Sequence, residues 1–382
     1  LRQSLGPSGL KEAVNRLRSL LVLVAVYGAG IVFPFIHLMR INTLQDSLVI
    51  SARASLATFA MLALVLVVAS LGARKTGAMQ EQSAEPTIVR FAKSDKALKI
   101  PLEIDNKIIL MPMQVNNSKP LRFIFDTGAS ITLLNSKRAA ELGLKSTERA
   151  SGEATGGRIT ASIIRGVSLK VPGAEVSNQP IGSMDFPSVP GFAFDGVIGY
   201  HFINQFVVEI DYQKKMMNLY SPRTYRYSGK GEVVPLSFAG GRKTPLVITK
   251  LMVEGRGPVE ANVELDTGSD GTLLINSPAV KKHNLLAAMS EAVQSQARGA
   301  GGQQQRVVGP IKAIQLGSFT FDNVPVALSL DTQGAGALEG NDGALGGELL
   351  RRFNLIIDYS RQRMILERSS SFSEPYDLSD GE

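Results

Sequence analysis

The sequence predicts an all-β fold of two homologous barrel-like lobes in one chain, preceded by one or two transmembrane helices. Three observations carry this expectation. An internal repeat runs between residues 98 and 367, each copy consists of short β-rich runs punctuated by Gly, Pro and Asn, and two long uncharged apolar segments lie near the N-terminus.

The repeat is explicit. FIFDTGASITLLNS (123–136) recurs as VELDTGSDGTLLINS (263–277), and FDGVIGYHFINQFVVEIDYQKKMMNLY (194–220) recurs as NDGALGGELLRRFNLIIDYSRQRMILE (341–367). Asp126 and Asp266 are 140 positions apart, whereas Asp211 and Asp358 are 147 apart, so each copy is one unit with a small insertion in the second. This places the N-terminal lobe at 97–229 and the C-terminal lobe at 230–368, with the turn around Tyr227 to Gly231 between them. Runs such as KIILMPMQV, LRFIF, VEANVEL and FNLIIDY read as strands, and only short helices fit, at Ser136–Leu142 and Pro278–Asn284. That pattern suits two packed antiparallel barrels.

Residues 19–39 and 54–73 are each about as long as a bilayer core of about 30 Å requires, and neither carries a formal charge. The net charge of +7 comes entirely from this end: residues 1–100 hold 12 Lys/Arg against 5 Asp/Glu, and residues 101–382 hold 29 of each. Basic flanks beside apolar runs indicate a membrane anchor or signal region over 1–73 and argue against a nucleic-acid partner. If both segments span, the flanking cations put the remainder on the cytoplasmic side. If one spans, or if translation starts at Met39 and 39–73 is a signal, the lobes lie outside the cytoplasm, and this extracytoplasmic placement is the expected one. Residues 74–96 read as a polar linker, with room for a propeptide, and 369–382 as a disordered tail.

There is no cysteine, so disulfide and thiolate chemistry are excluded. His37, His201 and His283 stand singly, without a second ligand at metal spacing, so no metal is expected. Two strand-to-turn Asp-Thr-Gly segments remain as the chemistry-bearing motif. The apolar residues before each aspartate bury a strand that delivers it to a dry interface. Gly128 and Gly268 let the chain turn while leaving backbone N–H groups free to hold the carboxylates, and Thr127 and Thr267 can bond across the interface. Two carboxylates about 3 Å apart share one proton and titrate together, one serving as base and the other as acid on a bound water. Such chemistry needs no cofactor.

The two DTG motifs, each followed by an apolar-apolar-Gly element (Val197, Ile198, Gly199; Ala344, Leu345, Gly346), resemble the aspartic peptidases over about 270 of the 382 residues. The resemblance implies that each Gly element threads beside a catalytic loop, that Asp126 and Asp266 are catalytic, and that a peptide or protein is the substrate. The missing cysteines and a tyrosine-free flap at Ser151–Arg165 look more like the bacterial retropepsin-like enzymes, with both halves fused and the site complete in a monomer. Gly156, Gly157, Gly301 and Gly302 would form mobile, substrate-binding flap tips. In the family the residue two after the DTG glycine is usually Ser or Thr; here it is Ser130 in one loop and Asp270 in the other. The extra carboxylate is expected to raise the pKa of the dyad unless it finds a partner. Asp195, Asp342, Asp211 and Asp358 read as backbone caps, and Tyr212 and Tyr359 as packing. The alternative function is a catalytically weak or inactive peptide-binding module on the same fold, against which the two intact aspartates argue.

Overall fold

The computed structural model describes residues 86–238, 243–289 and 291–376. Both apolar segments, 19–39 and 54–73, lie outside these residues. Among the described residues no helix is long and apolar enough to cross a membrane.

Alternation along the strands builds each lobe. In Val259–Leu265 (VEANVEL), Val259, Ala261, Val263 and Leu265 are buried, and Glu260, Asn262 and Glu264 face the other way. Every other residue thus feeds one core. In the N-terminal lobe the strands Ile108–Val115, Leu121–Phe125, Gly196–Ile198, Thr132–Asn135, Ala174–Met184 and Gly157–Val171 pair in that order, and the last pairs back onto the first, closing a barrel. The C-terminal lobe repeats the order with Leu246–Met252, Val259–Leu265, Gly343–Leu345, Leu273–Ile275, Phe319–Ser329 and Gly302–Leu316, and it closes in the same way. The expected short helices form at Ser136–Glu141, where the Asn135 side chain accepts from Lys137 N–H, and at Ser277–Lys282, where Pro278 occupies the first turn.

A six-stranded antiparallel sheet joins the lobes, in the order Glu232–Pro235, Arg363–Arg368, Phe353–Asp358, Val207–Asp211, Met216–Tyr220 and Lys96–Pro101. Its centre shows how closely the lobes are related by a two-fold axis. Val208 pairs with Ile357, Ile210 with Leu355, and Glu209 with its own counterpart Ile356. One continuous apolar core runs from Phe123 and Phe125 in the first lobe through this sheet to Leu265 and Phe353 in the second.

The lobe edges differ from the sequence expectation. Within the supposed linker, Ile88–Phe91 is a strand that pairs with Ala174–Ser177. Residues 369–376, expected to be part of a disordered tail, are packed: Phe372 lies 5.6 Å from the ring of Phe353, and Tyr376 sits under the guanidinium of Arg352. Composition hid this because the anchoring groups, Phe372 and the main-chain carbonyls of Phe372 and Glu374, are few and scattered among serines.

Candidate active site

Each DTG loop leaves a strand that is held in parallel register by the apolar-apolar-Gly element of its own lobe. Phe125 pairs with Ile198 and Leu265 with Leu345, and the next main-chain N–H groups continue the ladder, Asp126 to the Ile198 carbonyl at 3.1 Å and Asp266 to that of Leu345 at 3.0 Å. The aspartates therefore sit where a fixed backbone ends. After them the chain is pinned again, with Tyr200 N–H donating to Ala129 at 2.9 Å and Gly347 N–H to Ser269 at 2.7 Å.

The two loops are locked together by their threonines. Thr127 Oγ1 donates to the Leu265 carbonyl at 2.6 Å and accepts from Thr267 N–H at 3.0 Å. Thr267 Oγ1 donates to the Phe125 carbonyl at 2.7 Å and accepts from Thr127 N–H at 3.1 Å. Both threonines are buried, so each of these bonds satisfies a group that water cannot reach.

The carboxyls of Asp126 and Asp266 face one another across this lock. Gly128 N–H donates to Asp126 Oδ1 at 2.7 Å, and Gly268 N–H donates to Asp266 Oδ1 at 2.9 Å. A Cβ on Gly128 would stand 3.0 Å from Asp266 Cγ, and one on Gly268 would stand 2.5 Å from Asp126 Cγ. Close approach of the opposing carboxyl, more than the turn itself, is what demands glycine here. Burial pushes the Asp126 carboxyl well above the usual carboxylate range, the Asp266 charge pushes it further, and the Gly128 N–H opposes both. Burial also raises Asp266, against the hydrogen bond with Asp126 and the N–H groups of Gly268 and Ser269, while Asp270 adds to the rise. The pair therefore keeps a shared proton to higher pH than an isolated carboxyl would.

Residues 111–202 match the model of the family described as aspartyl protease, and residues 249–349 match it a second time, one match in each lobe. The chain belongs to the aspartyl protease family. No curated protein matches it.

In this member of the family the flap hairpins come from both lobes. Glu148–Ala154 with Gly157–Val171 and Val293–Gly299 with Gly302–Leu316 form two long antiparallel hairpins whose tips touch. Gly301 N–H donates to the Thr155 carbonyl at 2.9 Å, and a Cβ on Gly157 would stand 2.8 Å from the Gly301 oxygen. Gly156, at φ +84°, and Gly302, at φ +132°, adopt backbone that favours glycine, so the four tip residues meet with no side chain between them. Each flap is also seated on the opposite lobe. A Cβ on Gly334 would stand 2.6 Å from Gly157 N, and Arg298 of the second flap donates to the Ser188 carbonyl of the first lobe at 3.1 Å.

Ser130 and Asp270 do not play matching parts. Ser130 is exposed and bonds to neither carboxyl, and Asp126 is held instead by the Gly128 N–H. Asp270 Oδ2 accepts from Asn106 Nδ2 at 3.1 Å, a bond from the opposite lobe. Asn106 and Lys107 form the tight turn between Glu103–Asp105 and Ile108–Val115, both at positive φ, and that turn reaches the second DTG loop. No sequence signal marked it, since its partner is 164 positions away.

The remaining repeated aspartates cap backbone. Asp195 Oδ2 accepts from Arg122 N–H at 2.9 Å, Asp342 Oδ2 from Asn262 N–H at 2.8 Å, Asp211 from Lys214 N–H at 2.8 Å and Asp358 from Arg361 N–H at 3.2 Å. Tyr359 stacks on Tyr200 with ring centroids 5.9 Å apart, and its hydroxyl is buried with no hydrogen-bond partner. Burial raises its pKa, and the charge of Asp126 raises it further.

Proposed function

We propose that the chain is an aspartic endopeptidase in which Asp126 and Asp266 activate one water for attack on a peptide bond. The observation that supports this best is the pair of mutually facing carboxyls, both with raised pKa, held by two N–H groups and a reciprocal threonine lock. The ionised carboxyl takes a proton from the water, and the protonated one donates to the carbonyl oxygen as the tetrahedral intermediate forms. On collapse a proton passes to the leaving amine, the C–N bond breaks, and the dyad returns to its singly protonated state. Water supplies the oxygen and both protons gained by the products, so the step balances with no further reactant.

The flaps fit this reading. Two hairpins with exposed edges offer main-chain groups that an extended peptide can pair with, and their glycine tips can part to admit it. Both aspartates come from one chain, so a monomer is sufficient. The reading also places the enzyme at a membrane through one of the apolar segments 19–39 and 54–73, a single span that leaves the lobes on the extracytoplasmic side; retention of the full chain in carbonate-washed membranes tests that anchor.

Digestion of a peptide library by the full chain at several pH values, with Asp126→Asn as control, tests the activity. Cleavage that disappears in the variant is expected. Equal cleavage by native and variant protein would refute the assignment.

A further inference from the structure

The lobes share one frame, yet the faces beside their catalytic loops are chemically opposite. Two residues before each aspartate stand Ile124 and Glu264. Their neighbours Phe123, Phe125, Val263 and Leu265 are fully buried in the lobe cores, so strand alternation turns Ile124 and Glu264 the other way. Two residues after the flap-tip glycines Gly157 and Gly302 stand Ile159 and Gln304. Two residues past the equal-length strands Ala174–Met184 and Phe319–Ser329 stand Phe186 and Asp331. At all three equivalent positions the first lobe is apolar and the second polar or acidic.

These positions are connected in each lobe. In the first, Ile159, Phe186 and Val197 all pack against the cluster of Leu133, Ala161 and Met184, and Val197 also packs against the cluster of Ile124, which makes an apolar wall from the Ile124 strand up to the flap. Ile159, Phe186 and Val197 stay partly exposed on it. In the second, Gln304 Nε2 donates to Asp331 Oδ2 at 2.8 Å, Gln305 N–H donates to Asp331 Oδ1 at 3.2 Å, and Asn341 Nδ2 donates to Glu264 Oε2 at 3.4 Å. Asp331 is thus oriented by two neutral amide donors. Glu264 stands two residues before Asp266 on the strand that delivers it, which puts this carboxylate close to the paired aspartates.

We propose that this inversion makes the cleft two-sided: an extended peptide presents an apolar side chain to the first lobe on one side of the scissile bond, and a lysine or arginine to Glu264 and Asp331 on the other. An apolar side chain against the second wall would strip water from a carboxylate and return nothing, whereas a cation there replaces the lost hydration. On the first wall the preference reverses, because a buried ammonium would find only Ile124, Val197 and the phenylalanines. The inference rests on the peptidase reading of the same cleft and adds the substrate class.

The test uses binding, so that it does not depend on turnover. Peptide analogues with a reduced, uncleavable central bond carry leucine on one side of that bond and either lysine or leucine on the other, in both orders, and calorimetry measures their affinity for the full chain. In one order, lysine should bind about tenfold tighter than leucine to the native chain, and Glu264→Gln should remove most of that advantage. Glu264→Ile, which copies the first lobe, should favour leucine. Asp331→Asn gives a second reading of the same wall should Glu264 variants fold poorly, and it should also weaken the lysine analogue. Equal affinities in both orders, or a lysine preference untouched by Glu264→Gln and Asp331→Asn, overturns the proposal. A chain that shows the preference and cuts no peptide supports the two-sided cleft and counts against the peptidase reading alone.

Discussion

At the scale of single residues, the site depends on groups that have no spare capacity. Thr127 gives its hydroxyl proton to the Leu265 carbonyl and accepts the Thr267 N–H, and both partners are shut away from water. Thr127→Val keeps the shape and strands both groups. At about 1–3 kcal/mol for each unsatisfied group, the variant should lose about 2–5 kcal/mol, read as a lower urea midpoint, and a midpoint within error of the native one would contradict the lock. Asp270 is the residue that sets the two loops apart. It raises Asp266, and under the proposed mechanism cleavage is lost as pH rises through that raised value. Asp270→Asn keeps an acceptor for Asn106 and removes the charge; the falling limb of kcat/KM against pH should move to lower pH, and an unmoved limb would exclude this electrostatic role. The motif residues were legible one by one because Asp, Thr and Gly each have a local reason to be there. Asn106 was not, because its role exists only after the other lobe has folded against it.

At the scale of elements, strands were legible and edges were not. Period-two alternation in VEANVEL and the apolar runs LRFIF and FNLIIDY mark their strands directly, and Asn135 and Pro278 mark the helix starts. The strand Ile88–Phe91 carries only four residues and takes its stability from pairing with Ala174–Ser177, which no local pattern announces. The segment 369–376 is held by the buried ion pair of Arg352 and Glu348. Arg352 Nη2 donates to Glu348 Oε1 at 2.9 Å, both side chains being 2% exposed, and Arg352 Nη1 donates to the Phe372 and Glu374 carbonyls at 3.1 and 2.7 Å. Arg352→Met should destabilise the lobe by about 3–5 kcal/mol, because it leaves Glu348 buried beside one fewer cation and frees the segment. The double variant Glu348→Leu/Arg352→Met should recover much of that loss in thermal melting. A single variant as stable as the native chain would mean that the clamp does not hold the segment.

At the scale of the whole molecule, the repeat at 140 and 147 positions was enough to read two lobes from the sequence. The structure adds that the lobes are joined at three places on their common axis: the central sheet around Glu209 and Ile356, the threonine lock, and the flap tips. It also shows that a symmetric frame carries asymmetric walls, with Ile124 facing what Glu264 faces in the other lobe. The repeat could not show that, because matching two blocks highlights what they share. If one chain holds the complete dyad, each chain is an independent catalyst and neither half can be replaced from outside. Peptide cleavage measured against enzyme concentration for the native chain, Asp126→Asn, Asp266→Asn and an equimolar mixture of the two variants tests this most directly. The account predicts native cleavage proportional to concentration and a loss of roughly a thousandfold or more in each variant and in their mixture. Activity near the native level in either variant, or its return in the mixture, would contradict an intramolecular Asp126–Asp266 dyad.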